Sequence, residues 1–127
     1  MMIIRRGMRL RPDVHVLDDG TEAGRRAVEV GERLTRAPGS ALTIHVAGEG
    51  GDERSAERVR VLRRRLGAQG RRDVRVELAP EQPRGPAAIL SRRHCGLLIV
   101  PSTQVSEDEE DLERLLSRAG CPVLVVG

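Results

Sequence analysis

At 127 residues the chain has the length of one domain. All 22 basic residues are arginine, and lysine, asparagine and aromatic residues are absent. A Schiff-base lysine, a P-loop lysine and stacking of bases on rings are therefore excluded. The formal charge of +3 is unevenly spread: residues 101–127 hold two arginines against six acids, while the first 100 hold the other 20 arginines against 13 acids.

Residues 1–13 form a basic N-terminal arm, and residues 14–127 read as the domain. Met1-Met2-Ile3-Ile4 is too short for a secretory apolar region and runs into Arg5-Arg6. No apolar run reaches the roughly 18 residues of a membrane span. Cys95 and Cys121 each flank an apolar strand, where cysteine acts as a small hydrophobe, and their spacing suits no zinc site. A cytoplasmic location is expected.

Strand and helix then alternate, which favours an open parallel α/β sheet with helices on both faces. Val14–Leu17 reads as the first strand, ended by Asp18-Asp19-Gly20-Thr21. A helix over about Glu22–Arg36 carries Ala23, Ala27, Val30 and Leu34 at the spacing of one buried face. Ala41–Val46 is the second strand. Asp52 or Ser55 caps a second helix to about Leu66, with Val59, Leu62 and Leu66 inward and most of its arginines outward. Val74–Leu78 alternates like an edge strand. After three prolines, Ala87–Arg93 reads as a short helix, and Leu97–Val100 as a strand covered on both faces. A helix beginning at Ser106 and a last strand, Cys121–Val126, complete the chain.

Four local words, in order, resemble the universal stress protein family. They are Asp19-Gly20-Thr21-Glu22 with Arg25-Arg26-Ala27, Leu42–Val46, Ala88-Ile89-Leu90 leading to Gly96–Val100, and Cys121–Val126. The resemblance covers residues 14–127 and implies five parallel strands in order 3-2-1-4-5, with dimers formed through the last strand. It also implies a cleft in which Asp19 and Val46 match positions that face adenosine in ATP-binding members.

The ATP motif of that family, Gly-x-x-Gly, nine residues and Gly-Ser or Gly-Thr, is missing. Its first two glycines fall on Pro101 and Gln104, and the last pair falls near Glu109-Glu110. Ser106-Glu107-Asp108-Glu109 is instead a capping box, and the neighbouring acids complement the helix dipole. A triphosphate there would meet up to five carboxylates, each like-charge pair costing a few kcal/mol before screening. No ATP or other cofactor is therefore expected, and one exposed helix face supplies too few oxygens for a metal.

His15, His45 and His94 have no metal-ligand spacing, and no Ser-His-acid grouping is readable, so no catalytic residue is expected. The favoured reading is a non-enzymatic, dimeric regulatory or stress-response module. Its rivals are an adenine nucleotide or other small ligand in the residual cleft of Asp19, Val46, Pro101 and Gln104, and nucleic acid on the arginine face of the second helix. With no asparagine or aromatic side chain for base recognition, nucleic acid is the weaker rival. Val123, Leu124, Val125 and Val126 form an uncharged strand at the expected sheet edge, a surface that proteins charge, shorten or pair. Homodimerisation through residues 122–127 is expected, with Val125→Arg giving monomers or insoluble protein.

Overall fold

The computed structural model describes residues 2–3, 13–36, 40–47, 53–71, 73–79, 96–105 and 122–127. The strands are β1 (Met2–Ile3), β2 (Asp13–Asp18), β3 (Ala41–Val46), β4 (Val74–Leu78), β5 (Leu97–Pro101) and β6 (Val123–Val126). Helix α1 (Glu22–Leu34) follows β2, α2 (Glu53–Ala68) follows β3, and a single 3-10 turn (Ser102–Gln104) follows β5.

One sheet holds all six strands in the order β1-β6-β5-β2-β3-β4. From β4 to β6 the five strands are parallel, which is the expected 3-2-1-4-5 order. The strands form because Val, Leu and Ile run almost continuously through them, as a sheet buried on both faces requires. All five residues of β5 are buried.

Alternation divides the core. Val14, Val16, Leu42, Ile44, Val46, Val76, Leu97 and Ile99 pack with Val28 of α1 and with Val59 and Leu66 of α2, so both helices cover one face. Leu17, Leu98, Val100 and Val123 form the core of the other face. The helices expected over 87–93 and from Ser106, with their acids, lie outside the described residues, as do His94, Cys95 and Cys121.

The buried stripe of α1 differs from the expected one. Ala23, Ala27 and Gly31 face the sheet, with Thr35 buried just beyond, whereas Leu34 is 50% exposed. Small residues every fourth position let the helix axis approach the strands. A Cβ on Gly31 would stand 2.6 Å from Val16 Cγ2 and 3.1 Å from Leu42 Cδ1. In α2, Ser55 sits inside the helix and buried rather than at its cap, and Asp52 lies outside the described residues.

The expectation of a bare C-terminal edge is corrected. Met2–Ile3 pairs antiparallel with β6, Met2 opposite Leu124 and Ile3 opposite Val123. The backbone groups of an apolar edge strand favour such a partner, and the arm supplies one from the same chain.

Close approach at Gly31 predicts that Gly31→Val destabilises the fold by about 1–3 kcal/mol through overpacking. At Gly67 in α2 nothing lies within 4 Å of an added Cβ. Gly67→Ala should therefore be neutral or stabilise by up to about 1 kcal/mol. Urea denaturation of both variants checks the pair.

Candidate functional site

In an open α/β sheet the ligand crevice lies beyond the carboxyl ends of the strands where the strand order reverses. That point here lies between β2 and β5, and the ladder registers show the crevice opening. β2 stays paired with β3 through Asp18↔Val46, but it pairs with β5 only as far as Val16↔Ile99. β5 leans the other way and stays with β6 through Pro101↔Val126. Beyond Val16 and Ile99, β2 and β5 are no longer joined by ladder hydrogen bonds.

All four residues assigned to the residual cleft lie at these carboxyl ends. Val46 and Pro101 are buried at the ends of β3 and β5. Asp19 follows β2, and Gln104 closes the 3-10 turn after β5. The structure brings Asp19 and Gln104 into direct contact. Gln104 Nε2 donates to Asp19 Oδ2 at 3.1 Å, and the Thr103 hydroxyl donates to the same oxygen. Asp19 Oδ1 accepts from the backbone N–H of Thr21 at 3.1 Å and from the Thr21 hydroxyl. One carboxylate thus joins the loops after β2 and β5 across the gap that the ladders leave.

Local chemistry places each part. Asp18 Oδ1 accepts from the Gly20 N–H at 3.0 Å, tightening the turn. Thr21 is the N-cap of α1, its hydroxyl accepting from the Gly24 N–H at 3.1 Å. A Cβ on Gly24 would lie 2.5 Å from Asp19 Oδ1, so only glycine lets the first turn of α1 come this close to the carboxylate.

Arg58 of α2 fills the adjoining space between the ends of β2 and β3. Its Nη2 donates to the Ala47 carbonyl at 2.5 Å. Its Nη1 lies only 1.6 Å from where a Cβ on Gly20 would be. Gly20 is required by its φ of +81°, and its lack of a side chain leaves the room that Arg58 Nη1 occupies. Arg58 Nε is buried and without a hydrogen-bond partner among the described residues. Arg63 likewise turns inward, donating from Nε and Nη2 to the Val76 carbonyl at 3.1 and 2.8 Å. Arg71, beyond α2, grips the end of α1 through the Glu32 and Thr35 carbonyls and the Thr35 hydroxyl. Arg60 pairs with Glu57, and Arg65 with Glu32. The expected solvated arginine face thus includes side chains that clamp backbone carbonyls.

A second feature not foreseen from sequence is a buried histidine pair. His15 Nδ1 and His45 Nε2 lie 2.9 Å apart, with rings stacked at a centroid distance of 5.2 Å. His15 Nε2 is 3.4 Å from Asp13 Oδ1. Among the described residues no cluster of three or more His, Cys, Asp or Glu is arranged to hold a metal. Alternation puts His15, two residues from Leu17, on the face away from α1 and α2. The residues are adjacent only because β2 and β3 pair, so spacing along the chain carried no signal.

Burial raises the pKa of Asp19, but hydrogen bonds from the Thr103 and Thr21 side chains, the Thr21 amide and Gln104 outweigh it and lower the value. With the folded value below the unfolded one, ionised Asp19 stabilises the fold at neutral pH. That contribution fades as pH drops from about 4 through the lowered folded value. Asp19→Asn should therefore be less stable than the parent at about pH 7, with the gap closing in acid. Denaturant titrations across this range measure it, and a gap that persists in acid would assign the loss to something other than the charge.

No family profile matches the sequence, and no curated protein matches it. Among solved structures, the chain is similar to a universal stress protein from Archaeoglobus fulgidus, with a TM-score of 0.71 and 25% identity. That alignment covers 91% of this chain and 45% of the other, so the chain spans just under half the length of that protein. A protein of the universal stress protein family from Burkholderia pseudomallei aligns with a TM-score of 0.63 and 17% identity, covering 88% of this chain and 92% of the other. Among the described residues no helix is long and apolar enough to cross a membrane. In strand order and in likeness to these two structures, the chain is a universal-stress-protein-like α/β domain.

Proposed function

We propose that this chain is a non-catalytic, cytoplasmic regulatory module of the stress-response type, which works without binding ATP through the family's glycine motif. One observation carries the reading. Gln104, standing where the resemblance puts the second motif glycine, donates its side-chain amide to Asp19, the carboxylate that the resemblance turns toward adenosine. Arg58 supports it by placing its guanidinium against Gly20 and the Ala47 carbonyl, beside Val46. A nucleoside entering here has to displace both, with no glycine amides after β5 to compensate.

Isothermal calorimetry with Mg-ATP at about millimolar nucleotide should show no saturable heat, whereas saturable binding near a micromolar Kd would overturn the proposal. The rival, an uncharged small ligand in the same cleft, is separated from it by a thermal-shift comparison of adenosine with ATP. Nucleic acid on α2 is the weaker rival, because Arg58 and Arg63 are engaged with carbonyls and Arg60 and Arg65 with carboxylates.

The working form is a homodimer built on Val123, Leu124, Val125 and Val126, and Met2–Ile3 competes for that strand at Leu124 and Val123. Deleting the arm should strengthen self-association, and Val125→Arg should abolish it or leave the protein insoluble. Sedimentation at about tens of micromolar reads both, and a wild-type monomer unaffected by removal of the arm would contradict the dimer.

A further inference from the structure

A cavity of about 360 Å³ lies between the facing sides of α1 and α2, with Asp18 and Gly20 at one end. Its lining includes none of Asp19, Val46, Pro101 and Gln104, and it adjoins the residual cleft along Gly20, Thr21 and Arg58. The volume falls within the range of about 300–1,000 Å³ usual for small-molecule sites. One wall is aliphatic, made by Val28 of α1 and by Val61 and Leu62 of α2, and Val61 is half exposed.

The charges around it select one kind of occupant. Three arginines line the cavity, and two are already neutralised: Arg25 by Glu22, and Arg65 by Glu32, the latter pair linking the two helices. Arg58 is different. Among the described residues no carboxylate forms an ion pair with it, its one hydrogen bond goes to the Ala47 carbonyl, and its Nε is buried without a partner. Asp18 of the same lining accepts from the Gly20 N–H and forms no ion pair among the described residues, so the lining favours at most one added negative charge, placed at Arg58. A phosphate ester would bring more, against Asp18, Glu22 and Glu57 in the same lining. With no aromatic residue in the chain to stack on a flat ring, the wall suits an aliphatic body.

We propose that the α1/α2 cavity is a binding site for a small aliphatic monocarboxylate, its carboxylate drawn to the Arg58 guanidinium and its chain laid along Val28, Val61 and Leu62. A charge-assisted hydrogen bond then forms with the Arg58 guanidinium, and the chain covers apolar surface that Val61 now exposes.

The test uses the full-length chain, ¹⁵N-labelled, titrated in parallel with sodium octanoate and with 1-octanol. Octanoate should give saturable amide shifts centred on Gly20, Thr21 and Val61, with octanol at least about tenfold weaker. Arg58→Met should lower octanoate affinity by at least about tenfold and leave octanol unchanged. If Arg58→Met does not fold, Val61→Glu decides the matter, because Val61 is half exposed and a carboxylate placed there should repel octanoate far more than octanol. Equal affinity for octanoate and octanol would overturn the proposal, as would saturable shifts centred elsewhere or none at about 10 mM octanoate. Binding that survives both substitutions would overturn it too.

Discussion

The carboxylate of Asp19 joins the loops after β2 and β5, beyond the point where the backbone pairing of the two strands ends. A doubly wound parallel sheet changes direction once, and at that point neighbouring strands carry their connections to opposite sides and separate. The ladder pairing of β2 with β5 stops at Val16↔Ile99. In nucleotide-binding relatives of such folds the gap is where a ligand is held by backbone amides. Here Thr21, Thr103 and Gln104 converge on one side chain, and the gap is bridged from within.

Several other features follow from that bridge. The first turn of α1 has to sit close to the carboxylate, which makes Gly24 obligatory and gives the Thr21 hydroxyl its double task of capping the helix and donating to Asp19. The 3-10 turn Ser102–Gln104 presents a hydroxyl and an amide to the same oxygen, an arrangement that a glycine loop lacks. Arg58 then occupies the neighbouring space over Gly20 and Ala47. A chain without lysine or aromatic residues uses arginine for this work, since its planar fork can donate to backbone carbonyls while its stem packs on apolar surface.

Much of the architecture was legible from residue pattern because parallel strands buried on both faces leave nearly unbroken apolar words. Ala41–Val46 and Leu97–Val100 were recognisable for that reason. The face of α1 was less legible. Counting apolar residues picks Leu34, whereas close packing selects Gly31 and Thr35, whose merit is being small. Two-residue β1 was invisible, because it is a strand only by virtue of the β6 edge it covers. At the site, Asp19 and Gln104 were both singled out through the resemblance, one for matching a position that faces adenosine and the other for standing in place of a glycine. Their hydrogen bond spans 85 positions of sequence and depends on β2 lying next to β5. Inward arginines were missed because Arg58 and Arg63 satisfy carbonyls of other elements, and composition reports only their charge.

A double-mutant cycle between Asp19→Asn and Thr103→Val measures most directly whether the carboxylate joins the two loops. Residues linked by a charge-assisted hydrogen bond are coupled, and the account predicts an interaction free energy of about 1 kcal/mol at neutral pH. In acid, once Asp19 is protonated, the coupling should shrink. Strictly additive effects at neutral pH would mean that the bridge between β2 and β5 contributes nothing to the fold, and would contradict the account.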